Sequence, residues 1–153
     1  MTDSKRRFEI RGTPGDAAVD GLLAGGAAGI VMAAYLGIAG LAQGFSIGAT
    51  FGRFDPTGAA LPITGLLIHL AVSGVYGMVY GLGRRMTAGV PGLGRLPGWL
   101  AGGLDGAILL ALAWTLVLSG ADSPLLEFPR PHLAAAHGVY GLALGLLAGA
   151  QRR

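Results

Sequence analysis

Four stretches of this chain carry almost no charge, and each is long enough to cross a lipid bilayer. Residues 21–52 contain no Asp, Glu, Lys or Arg, and neither do residues 58–83. Residues 96–121 are interrupted only by Asp105, and residues 133–150 contain none. A membrane helix needs roughly 20 mainly apolar residues to cross a hydrocarbon core of about 30 Å. The sequence therefore predicts an all-α, polytopic membrane protein with four transmembrane helices in a bundle.

Composition agrees with that class and excludes others. Charged residues make up 12% of the 153, and hydrophobic residues 52%. A soluble domain usually carries roughly 25% charge to cover its surface. The hydrophobicity excludes disorder. The 29 glycines lack a three-residue period, which excludes collagen. No cysteine is present, so there is no disulfide framework and no thiolate metal site.

Prolines and charges punctuate the runs. Arg53, Asp55, Pro56 and Pro62 bound the first connection, and Arg84, Arg85, Pro91, Arg95 and Pro97 the second. Asp122, Pro124, Glu127, Pro129, Arg130 and Pro131 bound the third. The expected organisation is a basic tail at 1–16, a first hairpin at 17–83, a loop at 84–97, a second hairpin at 98–150 and a short terminus at 151–153. Helix 1 is expected over about 17–44, and whether 45–60 extends it stays open. Of the 11 basic residues, all but Arg53 and Arg130 fall on one side of this arrangement. The positive-inside rule places that side in the cytoplasm, giving an N-in, C-in protein of a bacterial inner membrane. The positive charge is thus a topology signal. No basic face interleaved with aromatics suggests nucleic acid as a partner.

The two hairpins look like tandem copies. Leu23-Ala24-Gly25-Gly26 recurs as Leu100-Ala101-Gly102-Gly103, and Gly74-Val75-Tyr76-Gly77 as Gly138-Val139-Tyr140-Gly141. On that alignment His137 matches Ser73, one turn deeper than His69. Glycines also recur at four-residue spacing: Gly21, Gly25 and Gly29; Gly98, Gly102 and Gly106; Gly141, Gly145 and Gly149; and Ser73, Gly77 and Gly81. Residues four apart share a helix face, so these are packing stripes. A further series, Gly40, Gly44, Gly48 and Gly52, is expected to give a surplus face at the outer end.

Polar residues inside a span point to function or to a specific partner. His69 and His137 fall on the glycine stripes and are expected to face the interior. Each could bond a carbonyl across a helix interface, and together they could hold one haem b as axial ligands. Ser73, Gly77 and Gly141 would leave room for the macrocycle. His132 is a weak metal candidate, and a quinone or metal site could also use Tyr76 or Tyr140. Asp105 is expected to pair with Arg84 or Arg85, or to serve as the coupling carboxylate of a small proton-coupled transporter. No catalytic constellation, phosphate loop or nucleophile elbow is present, so no enzyme is indicated and no cofactor is assured. The functional expectation is a helix-packing accessory subunit or homo-oligomer. Its partners would be the lipid bilayer and either copies of itself or other subunits, respiratory or photosynthetic complexes being the candidate setting. A one-haem electron-transfer subunit is the alternative.

Overall fold

A computed structural model describes residues 12–117 and 124–150. The basic residues Lys5, Arg6, Arg7, Arg11, Arg152 and Arg153, and Asp122, lie outside the described residues. Among those described, the secondary structure is helical without strands. The elements are α1 (Pro14–Ala42), α2 (Ile47–Gly52), α3 (Pro62–Thr87), α4 (Gly98–Leu112) and α5 (Arg130–Ala150). Short 3-10 turns cover Leu93–Arg95 and Pro124–Glu127, and a π turn, Ala113–Val117, continues α4. Four helices are long and apolar enough to cross a membrane: Pro14–Ala42, Pro62–Thr87, Gly98–Thr115 and Arg130–Ala150. That fits a multi-pass membrane protein.

Local chemistry explains where the helices begin. Thr13 caps α1 in a capping box, its hydroxyl accepting from the Asp16 amide at 3.1 Å while the Asp16 carboxylate accepts from the Thr13 amide at 2.6 Å. Pro14 follows in the first turn, where its missing N–H costs nothing. This Thr-Pro-Gly-Asp box starts α1 earlier than hydropathy alone places it. Pro62 likewise occupies the first turn of α3, but there Leu61 supplies no side-chain cap.

Residues 45–60 do not extend α1. Gly44 adopts φ +82°, a left-handed conformation that glycine takes without penalty, and this ends the helix. Ser46 then caps the short α2, which packs against α1 and α3. The expected surplus stripe therefore does not exist as a face. Gly40 lies beneath Thr50, and a Cβ at Gly52 would meet the Ala60 carbonyl at 2.5 Å. These glycines fold the end of the structure opposite the start of α1 onto itself.

The helices pair as two hairpins. α1 packs along α3, α4 packs along α5, and α1 against α5 joins the pairs. α3 and α4 form no comparable seam; one link between them is the Tyr80 hydroxyl, which donates to the Gly98 carbonyl at 3.4 Å. Ala24, Ala28, Leu36, Ala136, Tyr140 and Leu144 lie in the shared core. Small residues on α1 and α5 let the two hairpins approach closely.

Candidate functional site: the glycine seams and their polar residues

Both hairpins are closed by the same contact. In α1 and α3, Cβ atoms built at Gly21 and Gly77 would each run into the other's carbonyl oxygen. In α4 and α5, Gly98 and Gly145 stand in the same relation, and so do Gly102 and Gly141. In a glycine that direction is occupied by a Cα hydrogen, which can sit against a carbonyl as a weak hydrogen bond. Gly25 carries the first seam deeper, where a Cβ would lie 2.5 Å from the Ser73 carbonyl and 2.6 Å from the Gly77 Cα. Gly29 lies over the Ser73 side chain, and Gly106 over the His137 carbonyl. A Cβ at Gly149 would meet nothing within 4 Å, so that residue extends the sequence stripe without closing the seam.

The seam contacts revise the internal register. Aligning Leu23-Ala24-Gly25-Gly26 on Leu100-Ala101-Gly102-Gly103 places Gly21 on Gly98. Gly21 meets Gly77 and Gly98 meets Gly145, so on that alignment Gly77 corresponds to Gly145 and His69 to His137. The Gly-Val-Tyr-Gly match pairs His137 with Ser73 instead, one turn out of step with the packing. The tyrosines show the consequence. Tyr140 is 2% exposed, and its hydroxyl donates to the Ser73 carbonyl at 2.7 Å, tying α5 to α3. Tyr76, its counterpart by sequence, is 39% exposed and faces outward.

The two histidines are equivalent in register but not in bonding. His69 is buried, and its Nε2 lies 3.1 Å from the Gly29 carbonyl across the α1–α3 seam. A carbonyl can only accept, so His69 carries its proton on Nε2. Ser73 in turn donates to the His69 carbonyl at 2.7 Å, and Phe54 meets the His69 ring edge-on at 5.3 Å. His137 is half-buried, and its Nδ1 donates to the Leu133 carbonyl of its own helix at 2.8 Å. That bond leaves the lone pair of His137 on Nε2, ready to accept. For His69 to present the same nitrogen it would have to release Gly29. His132 sits near the start of α5, with Nδ1 3.0 Å from the Tyr35 hydroxyl and Nε2 3.3 Å from the Gln43 side-chain nitrogen. Among the described residues, no group of three or more His, Asp or Glu is placed to hold a metal ion.

Asp105 does not pair with Arg84 or Arg85. Arg84 turns back to donate to the carbonyls of Leu93 (3.1 Å) and Leu96 (3.0 Å), closing the connection between α3 and α4. Arg85 donates to the Gly12 carbonyl at the start of α1. Both guanidiniums are held by backbone carbonyls of neighbouring loop residues instead of reaching Asp105. The Asp105 Oδ2 is buried without a hydrogen-bond partner.

The sequence carries no sign of a clasp at the end of the structure opposite the start of α1. The Arg53 guanidinium lies 4.0 Å over the Phe45 ring, donates to the Ala49 carbonyl at 3.0 Å and pairs with Glu127 at 3.1 Å. Phe45 also packs on Phe128, and Phe128 on His132, so this cluster joins the hairpins. Beside it, Asp55 accepts from the Leu61 and Thr57 amides at 2.9 and 3.0 Å, which holds its carboxyl below the usual carboxylate range. The Asp-Pro-Thr-Gly run at 55–58 was the available signal for that turn.

Known proteins add no assignment: no family model, curated protein or solved structure matches the chain.

Proposed function

We propose that this chain is a four-span helix-packing protein of a cell membrane, with both termini on the cytoplasmic side, assembling with copies of itself or as an accessory subunit of a larger membrane complex. The observation that carries the reading is the uneven burial of its spans. Half of the α1 window is buried within the chain, against 17% for α4. α4 is sealed to α5 through Gly102 and Gly106 and leaves Trp99, Leu104, Ile108 and Leu112 facing outward. α1 is the hub, and α4 is the span with most surface left for a neighbouring helix. Orientation is supported by the ends of the bundle: Arg84, Arg85 and Arg95 lie at the end where α1 starts, while Arg53 and Glu127 lie at the other.

The test is purification of the full chain in two mild detergents and in lipid nanodiscs. Stoichiometric co-purification of membrane subunits, or a defined homo-oligomer, is the expected result. A monodisperse monomer in all three settings would reject the reading.

A second reading, a single haem b between His69 and His137, is favoured by one observation, the His137 Nε2 lone pair fixed by the Leu133 bond. A reduced-minus-oxidised spectrum of the purified protein tests it. Soret and alpha bands lost in both His69→Ala and His137→Ala would support it, and a flat difference spectrum would end it.

A further inference from the structure

Among the described residues, Asp105 has a buried carboxylate oxygen without a hydrogen-bond partner. It lies between Gly102 and Gly106, the residues that press α4 onto the Gly141 and His137 carbonyls of α5. The side chain is half-buried, and its Oδ2 is sealed from solvent with no donor in reach. The groups that could answer its charge are committed elsewhere. On α3, Arg84 is bound to the Leu93 and Leu96 carbonyls, Arg85 to the Gly12 carbonyl, and Tyr80 to the Gly98 carbonyl. Tyr76, also on α3, is largely exposed. On α5, His137 donates to Leu133, and Tyr140 donates to Ser73 while interacting electrostatically with Asp105. On α1, the Tyr35 hydroxyl is held by His132 near the outer end. An ionised carboxylate at membrane depth needs a counter-charge or donors, and the helix amides around it are spent on their own ladders.

We propose that Asp105 is a proton-binding carboxyl within the fourth helix of the structure, and therefore a site of modification by lipid-soluble carbodiimides. A proton satisfies the orphaned Oδ2 directly, whereas a metal cation needs several ligands, and among the described residues no group of three or more His, Asp or Glu is gathered to hold one. The modification balances as an addition. The acid's proton goes to a carbodiimide nitrogen, the carboxylate oxygen bonds to the central carbon, and the resulting O-acylisourea rearranges to a stable N-acylurea with nothing lost.

The experiment treats the full chain, in mild detergent and in liposomes, with dicyclohexylcarbodiimide and separately with a water-soluble carbodiimide, followed by intact mass and peptide mapping. The expected result is one adduct, mapped to Asp105, from the lipid-soluble reagent only, with labelling that falls as pH is raised. Asp16, Asp20 and Glu127 serve as aqueous controls for the water-soluble reagent. Asp105→Asn should remove the adduct, and Arg84→Gln should leave it in place. Mapping on the unaltered chain reads Asp105 directly, so the outcome does not depend on how a variant folds. No adduct at Asp105, or equal labelling by the water-soluble reagent, would overturn the proposal. Suppression by sodium at constant pH and ionic strength would overturn it in favour of a metal-cation site.

Discussion

Gly25 and Gly26 are neighbours in the sequence and opposites in the packing, which makes them a sharp test of the seam. A Cβ at Gly25 would lie 2.5 Å from the Ser73 carbonyl oxygen and 2.6 Å from the Gly77 Cα, while one at Gly26 would meet nothing within 4 Å. Ordinary contact begins near 3.4 Å, so Gly25→Ala forces α1 and α3 apart by nearly 1 Å where both sides are backbone and cannot rotate away. A gap of that size forfeits roughly a quarter to a half of each dispersion contact along the seam. Overpacking of this kind costs about 1–3 kcal/mol, offset in part by the gain of about 1 kcal/mol when Ala replaces a helical Gly. The net expectation for Gly25→Ala is a loss of about 0–2 kcal/mol. Gly26→Ala keeps only the propensity gain, about 0.5–1 kcal/mol of stabilisation. The assay is reversible unfolding in mixed micelles, titrating SDS against a mild detergent and following helicity and tryptophan fluorescence. Gly102→Ala and Gly103→Ala repeat the comparison in the second hairpin, where a Cβ at Gly103 meets only the tip of Leu142 at 3.8 Å. Equal effects of Gly25→Ala and Gly26→Ala would refute the glycine-on-carbonyl account of how the hairpins close.

Other consequences are more local. His69→Ala should destabilise by about 1–2 kcal/mol in the same titration, because its bond crosses a helix interface, whereas His137→Ala should cost less because its bond stays within one helix. Arg53→Ala should cost about 1–2 kcal/mol and Glu127→Ala only about 0.5 kcal/mol, since the Arg53 side chain is 11% exposed and packed on Phe45 while Glu127 is 68% exposed. Asp55 has a folded-state pKa below its ordinary value, so its contribution is present above about pH 4 and is lost as pH falls further. Protease resistance of the 53–61 turn should fall over that range, and Asp55→Asn should flatten the dependence. Ala60 has φ +53°, so Ala60→Gly should raise stability by about 1 kcal/mol in thermal unfolding.

Much of the helical layout is legible in the sequence because it follows from solvent. Residues 21–52 and 58–83 cannot be covered by water-liking side chains, and Pro62 and Pro131 mark helix starts that the structure keeps. The seam glycines Gly25, Gly29, Gly77, Gly102, Gly106, Gly141 and Gly145 are legible because four-residue spacing defines a face. The same spacing misleads at Gly40, Gly44, Gly48 and Gly52, since periodicity is blind to the left-handed turn at Gly44. Register is harder for a different reason. Gly- and Ala-rich helices present the same surface after a one-turn shift, so a four-letter match cannot fix whether His137 answers Ser73 or His69. The expected Asp105 pairing fails because sequence distance does not show that Arg84 is needed to cap the carbonyls of its own loop. The Arg53–Glu127 clasp joins residues far apart in the chain and carries no local pattern at all.

The proposed topology has four spans crossing one membrane, with the Arg84–Arg95 connection inside and the Arg53–Pro62 connection outside. The chain contains no cysteine, so single introduced cysteines report topology without background. In intact cells a membrane-impermeant maleimide should label Thr57→Cys directly and Ala88→Cys only after permeabilisation. The reverse pattern would invert the orientation, and labelling of both sites in intact cells would contradict the four-span account.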